Sequence, residues 1–372
     1  MSRPLRMALI GGGLGSFIGK IHQMGAALGA GIDLVAGSFS SDPERSRAAG
    51  ASYGVTTDRC YADHDALFAG EAARDDGIDL VAIATPNHLH LPAALAAIKA
   101  GVHIMSDKPA TATLAEALDL QAALRQGTSL YALSYSYSGY PMVREARARV
   151  AAGEIGTVRK VVVTYQQGWL SAPLEQNNAR AAWRTDRSKS GVGGASADIG
   201  VHAFHLAEYV SGQRVAELLG DARGLVSGRA LDDDCNALLH FDNGASGVLV
   251  VSQIAFGERN GLSIQVFGDA GALHWAFDTA DVLTMINGDG STVILRPMSP
   301  GLLSSTPLAP GLGNGLIVPF AVLYRDFAAA IGGDMTRIGS VLPGIDEGVR
   351  SMRFIERVVD SSANPSGWTT LA

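Results

Sequence analysis

The order of apolar and polar positions gives the chain two rhythms. Over the first 134 residues, short apolar runs alternate with stretches of helical period. Strands are expected at 7–10, 33–37, 78–84, 102–105 and 130–133, with helices after the first strand and at 44–51, 61–68, 91–100 and 114–125. Apolar runs bounded by turn residues suit strands buried on both faces, and strands alternating with helices imply a parallel sheet with crossover helices. Residues 1–134 therefore read as an α/β doubly wound, Rossmann dinucleotide-binding domain.

From residue 158 the rhythm changes. Strand-like runs at 159–165, 236–241, 247–254, 262–267, 272–275 and 291–295 follow one another with few helices between them. Residues 135–372 are expected to form an α+β domain on a large, mainly antiparallel open sheet. Late helices are expected at 320–331 and 344–360, the second packing back on the first domain. The Pro-, Gly-, Ser- and Leu-rich stretch 297–318 reads as a long irregular loop crossing a subunit or domain surface.

Composition narrows the class. A length of 372 residues with 47% hydrophobic residues, 17% charged residues and 45 glycines describes two compact domains, neither disordered nor fibrous. A net charge of −7 argues against nucleic-acid binding by bulk electrostatics. Cys60 and Cys235 stand alone, so neither a disulfide framework nor a cysteine metal site is indicated. No apolar stretch approaches the ~18 residues of a membrane span, and the N-terminus runs straight into a strand, so a cytoplasmic protein is expected.

Two turns carry the first chemistry. After the first strand come Gly11, Gly12, Gly13, Leu14, Gly15, Ser16, Phe17, Ile18 and Gly19. In a GxGxxG reading from Gly11, Gly13 takes the second place and Ser16 the third; alternatively the turn is longer and Gly19 takes that role. Such a turn lets a pyrophosphate approach the backbone at a helix N-terminus, although an ordinary glycine-rich turn would read alike. The second strand ends in Ser38-Phe39-Ser40-Ser41-Asp42-Pro43-Glu44-Arg45, with serines where an NAD site carries an acid. Ser40, Ser41 and Arg45 would suit a 2′-phosphate, so the expected cofactor is NAD(P)(H), leaning to NADP(H). The alternatives are that Ser40 and Ser41 only cap the next helix and that Asp42 serves NAD.

The stretch 81–109 delivers a lysine to the carboxyl edge of the parallel sheet, where open α/β folds bind ligands. Thr85, Pro86, Asn87 and His90 after one strand, and Asp107 and Lys108 before Pro109 after the next, are expected to contact the cofactor, with Asn87 and His90 as walls of the nicotinamide site. Pro109 biases Lys108 to an extended backbone and gives its side chain a defined direction. Much later, Asp198 and His202 lie four apart at the mouth of an expected helix, hence on one face. Oxidising a carbinol requires a base for the hydroxyl proton as hydride departs. His202 fits with an ordinary pKa of ~6.5, Lys108 would stabilise alkoxide charge, and Asp198 would hold either in place. Tyr137, Trp183 and Arg184 are candidate substrate contacts, weighed evenly against structural packing, and Tyr135 and Tyr140 could line the same cleft; the alternative for His202 and His205 is a satisfied pair of half-buried helical histidines. Asp232, Asp233 and Asp234 read as a solvated turn. His88, His90, His202 and His205 could be imagined around a metal, but their order beside a lysine favours hydride chemistry, and no metal is expected.

Together, the glycine turn, ATPNHLH at 84–90, the Lys108-Pro109 pair, the GGxxxDxGxH pattern at 193–202 and GVRSMRFIERVV from Gly348 resemble the Gfo/Idh/MocA family through nearly the whole chain. The resemblance implies a Rossmann domain plus an α+β domain whose open sheet mediates homodimers or homotetramers. It implies NAD(P)-dependent oxidation or reduction of a sugar, polyol or cyclitol at a secondary carbinol. The lysine of the family's E-K-P motif and its D-x-x-x-H pair map to Lys108, Asp198 and His202, which would be catalytic. Asp107 stands where the family has glutamate, and His205 where many members have Asp or Asn. An enzyme that retains NAD for net isomerisation or bond cleavage, and a non-catalytic dinucleotide-binding regulator, are the alternatives.

Overall fold

The apolar runs of the first region fold as five parallel strands, β1 (Arg6–Gly11), β2 (Asp33–Ser38), β3 (Leu80–Ala84), β4 (His103–Ser106) and β5 (Tyr131–Leu133). Their order is β2-β1-β3-β4-β5, so the sheet winds both ways from a switch between β1 and β3. The crossovers are α1 (Phe17–Ala30), α2 (Pro43–Tyr53), α3 (His64–Ala72), α4 (His90–Lys99) and α5 (Leu114–Gln126). Side-chain oxygens of Ser16, Asp42, Asp63 and Thr113 accept first-turn N–H groups and set four of the helix starts. Leu80 to Ile83 are fully buried, which is why these runs are continuously apolar instead of alternating.

This computed structural model describes residues 3–296 and 315–371, so the loop expected over 297–318 lies, as far as residue 314, outside the described residues. Beyond β5 come α6 (Pro141–Ala151), β6 (Val158–Gln166), α7 (Ala179–Arg184), α8 (Arg187–Ser190) and α9 (Val201–Ser211). Then follow β7 (Val215–Arg223), β8 (Asp234–Phe241), β9 (Ser246–Ser252), β10 (Gly261–Gly268), β11 (Gly271–Ala276), β12 (Leu283–Asn287) and β13 (Thr292–Leu295). The chain ends in α10 (Ile317–Ile331), α11 (Ile345–Ala363) and β14 (Thr369–Thr370). Nine strands form one sheet, β13-β12-β11-β10-β6-β9-β8-β7-β14, antiparallel throughout except for the β6–β9 pair. In β8 the residues Cys235, Ala237, Leu239 and Phe241 face inward while Leu238 is exposed, the alternation of a sheet with one covered face.

The structure differs from the sequence expectation in elements, among them α6, β7 and β12, and in the division of the chain. β7 and β12 were not expected: Ala216-Glu217-Leu218-Leu219 is made of good helix formers, and pairing with β8 overrides that preference. The chain divides into residues 1–139 with 315–349 and residues 140–314 with 350–372, instead of by a single cut after residue 134. The cause is α10, expected in the second domain. Phe320, Leu323, Tyr324 and Phe327 of α10 join Met7, Leu9, Ile21 and Ala26 in the first unit's core. Gly25 and Gly29 of α1 make room for this, since a Cβ on Gly25 would lie 2.6 Å from the Phe320 side chain. No helix among the described residues is long and apolar enough to cross a membrane.

Candidate active site

In the first unit, the β1–α1 turn is shaped for backbone approach. Gly11, Gly12 and Gly15 have φ of 89°, 70° and 80°. A Cβ on Gly13 would stand 2.8 Å from the Phe39 carbonyl. Gly19 meets the Tyr53 hydroxyl and the Cα of Gly12, so it fills the close-packing role of the third glycine, while Ser16 caps α1. Leu14 and Phe17 are exposed and Ile18 packs on the core. Gly11, Gly12 and Gly13, where a Cβ would meet neighbouring atoms, lead into a helix N-terminus, an arrangement open to close backbone approach by an anionic ligand.

At the end of β2, Asp42 caps α2, its Oδ1 accepting from the N–H groups of Glu44 and Arg45 at 2.9 Å each. The Ser40 hydroxyl accepts from the Asp42 N–H at 3.2 Å. Asp42, not Ser40 or Ser41, is thus the helix cap. Ser41 and Arg45 are exposed at the same edge.

At the sheet's carboxyl edge, His90 spans two turns, one ring nitrogen 2.9 Å from the Thr85 carbonyl and the other 2.9 Å from the Pro109 carbonyl. It is a strut between the turns, with Pro86 and the buried Asn87 on the β3 side. Burial pushes its pKa down. Asp107 Oδ1 accepts from His22 Nε2 at 3.1 Å and from the Ser134 hydroxyl at 2.6 Å. Burial alone would raise the Asp107 carboxyl, but His22, Ser134 and the nearby His90 outweigh it and hold it below its usual value. The Lys108–Pro109 peptide is cis. Tyr137 belongs to this unit, buried on the turn Ser136–Gly139.

In the second unit, the glycine-rich segment is gripped by Asp232. Its carboxylate accepts from the N–H groups of Gly194 and Ser196, both at 2.6 Å, and from the Ser196 hydroxyl at 2.9 Å. Asp233 in turn accepts from the N–H groups of Leu225 and Val226 and pairs with Arg229 at 3.1 Å. The expected solvated turn is corrected for these two: Asp232 is 8% exposed and Asp233 1%, because backbone donors converge on them. Burial lifts the Asp232 carboxyl despite its three donors.

This grip leads into a π-helical turn, Ser196–Gly200, which carries Asp198 and runs on into α9. Such turns widen a helix by one residue and often mark functional sites. Asp198 Oδ2 accepts from Arg184 Nε at 3.0 Å and Gln253 Nε2 at 2.8 Å, while the Arg184 guanidinium lies 4.2 Å over the Trp183 ring. Arg184 is thereby assigned to Asp198 and Trp183. The buried His202 ring lies 6.2 Å from that of Tyr165, whose hydroxyl donates to Asn260 Oδ1 at 2.6 Å. Gln167 Nε2 donates to the same oxygen at 2.9 Å. His205 stacks on Tyr209 at 5.4 Å, and burial, then Arg147 and Arg214, pushes its pKa down to about 3. Tyr140 packs on Trp275 and Phe277 in the core.

Sequence reasoning misread Asp232 as part of a solvated turn and missed Gln253, Tyr165, Asn260 and Gln167, polar residues without a local signal. It also missed His22 and Tyr324. For His22 a signal existed: it falls on the apolar face of α1 with Ile18, Ile21 and Gly25.

Residues 5–135 match the model of the oxidoreductase family with an NAD-binding Rossmann fold, and residues 143–274 the GFO/IDH/MocA C-terminal domain. The uncharacterized oxidoreductase YfiI of Bacillus subtilis is 33% identical, covering 99% of this chain and 97% of that protein. The levoglucosan dehydrogenase of Pseudarthrobacter phenanthrenivorans is 26% identical, covering 97% of each. Among solved structures, an inositol dehydrogenase homolog from Azotobacter vinelandii matches with a TM-score of 0.93 in its NAD+ complex (33% identity; 100% of this chain, 98% of that one). Its complex with NADH and myo-inositol matches at 0.91 (32% identity, the same coverage). The chain belongs to the Gfo/Idh/MocA family of NAD-binding oxidoreductases.

Proposed function

We propose that the protein transfers hydride between NADP(H) and a secondary carbinol of a sugar, polyol or cyclitol. The observation that carries this reading is the π-to-α turn on which Asp198, fixed by Arg184 and Gln253, precedes His202 by four residues. Bound at the β1–α1 turn, the dinucleotide supplies the hydride acceptor or donor. In the oxidative direction His202 takes the carbinol proton as hydride leaves the carbon, and returns it in the reverse direction. The Lys108 ammonium stabilises alkoxide charge, and Asp198 orients the histidine or the lysine. Tyr137, Trp183 and His205 are the further residues assigned to substrate contacts. The myo-inositol and levoglucosan named for the relatives support a polyhydroxylated substrate.

NADP(H) is supported by Ser40, Ser41 and Arg45 at the β2 edge, where the nearest acid, Asp42, is occupied as a helix cap. Assaying a panel of sugars and cyclitols with NAD and NADP in parallel tests both parts. Turnover of none sinks the substrate reading; tighter binding of NAD than of NADP sinks the cofactor reading.

The open face of the nine-stranded sheet supports self-association as a homodimer or homotetramer. The paired positions Leu219, Leu238, Val248 and Val162 make an apolar row across four strands. Light scattering of Leu238→Lys should show a smaller assembly than wild type; an unchanged mass counts against that surface.

A further inference from the structure

A line of polar groups in the first unit runs from its core to the Lys108 turn. The Tyr324 hydroxyl, on α10, lies 2.6 Å from His22 Nδ1, and His22 Nε2 lies 3.1 Å from Asp107 Oδ1. Both Tyr324 and His22 are fully buried. An ionised carboxylate only accepts, so His22 Nε2 carries the proton that it donates to Asp107; Nδ1 accepts from the Tyr324 hydroxyl when the imidazole is neutral and donates to it when it is charged. Phe320 stands edge-on to the imidazole with centroids 5.0 Å apart, and the Tyr324 ring does the same at 5.8 Å.

Packing does not explain this arrangement. Buried polar groups cost stability unless each is satisfied, and leucine with phenylalanine would fill the same space. What the line provides is a carboxylate fixed by α1, α10 and the Ser134 hydroxyl, one residue before Lys108. On the far side of Lys108, a His90 ring nitrogen lies 2.9 Å from the Pro109 carbonyl. The titratable groups facing Asp107 are His22 from α1, His90 from α4, Tyr131 from β5 and Tyr324 from α10.

We propose that Tyr324 and His22 are positioning residues which, through Asp107, hold the Asp107-Lys108-Pro109 turn and with it the Lys108 amine in the orientation that hydride transfer needs. The inference rests on the role given to Lys108 above. It also accounts for aspartate in place of the family's glutamate: the shorter side chain meets donors that arrive from the core.

The test compares Tyr324→Phe, His22→Gln and His22→Asn. Glutamine can place its amide N–H where the imidazole Nε2–H was and keep the bond to Asp107; asparagine can reach only the Tyr324 side. Expected is a kcat for His22→Asn about 10-fold or more below that of His22→Gln, with Tyr324→Phe near the latter and KM within about twofold in all three. The acid limb of kcat/KM should move to higher pH in His22→Asn, because Asp107 loses a donor. Equal kcat for the two His22 variants, or losses carried by KM, would overturn the proposal. A second readout needs no substrate and so separates this inference from the functional reading. Nitrogen-15 NMR of the wild type should show a His22 Nε2–H hydrogen-bonded to Asp107, and Asp107→Asn should shift that resonance. A His22 Nε2–H resonance that Asp107→Asn leaves in place rejects the proposal even if no carbinol is ever turned over.

Discussion

Asp107 in the first unit and Asp232 in the second are carboxylates with parallel tasks and opposite charge behaviour. Each is gripped by convergent donors: His22 and Ser134 for Asp107, the N–H groups of Gly194 and Ser196 with the Ser196 hydroxyl for Asp232. Burial raises both. Around Asp107 two histidines and a hydroxyl reverse the effect, whereas around Asp232 the donors are neutral and burial wins. The number of hydrogen bonds does not by itself decide the charge state of a buried acid: three donors leave Asp232 raised, while His22, Ser134 and the nearby His90 leave Asp107 lowered. Asp107 is thus kept as a charge beside Lys108, and Asp232 serves as a clamp on the turn that presents Asp198 and His202.

The strongest way to break this comparison is to remove what each carboxylate serves. Lys108→Met and His202→Ala should each lower kcat on the substrate found in the panel by about 10²–10⁴-fold, while dinucleotide affinity changes little. Turnover within a few fold of wild type in both variants would mean that neither acid stands beside chemistry.

A smaller effect separates the two acids by stability. Asp232→Ala strands two backbone N–H groups and a hydroxyl in a buried place, at about 1–3 kcal/mol each. The second unit should melt about 6 °C or more lower, at about 2–4 °C per kcal/mol. The pH dependence then has opposite signs. The Asp107 pKa is depressed on folding, so its stabilisation is present above the unfolded value of about 3.9 and is lost as pH falls through the folded one. Asp232 is raised, so its contribution is full below about 3.9 and is lost as pH rises through its folded value. Urea midpoints across that range should therefore fall less steeply with acid in Asp107→Asn, and decline less with rising pH in Asp232→Asn. Parallel slopes for the two variants would erase the distinction.

The Asp107 side was the more legible in sequence. The glycine turn, the apolar strands and the Lys108-Pro109 pair obey short-range rules, so the parallel sheet and its ligand edge follow from local pattern. The Asp232 side is set by long-range pairing. Its donors sit 36 and 38 residues earlier in the chain, and Gln253 reaches Asp198 across 55 residues. No local pattern announces such partners, and a run of three acids ahead of a strand looks like any solvated turn. The same limit hid α10 in the first unit: only its packing on Gly25 and Gly29 assigns it there, nearly 300 residues from α1 in sequence.

The smallest effect is expected at His205, three residues beyond His202 on α9. Buried at 6% exposure, stacked on Tyr209 and flanked by Arg147 and Arg214, it is held neutral down to about pH 3. It therefore cannot exchange a proton with substrate near neutrality, whereas the mechanism asks that of His202. His205→Gln should change kcat by about twofold or less and leave the pH profile of kcat/KM in place between about pH 5 and 9. Its imidazole resonances in the wild type should not titrate in that window. Stability gives a second check. The unfolded chain binds a proton at this side chain near ~6.5 and the folded one does not, so wild type loses stability as pH falls below that value. His205→Gln should flatten that acid slope. Should the substitution instead shift a limb of the activity profile, the proton acceptor would be His205, and the grip of Asp232 would serve a different histidine from the one assigned.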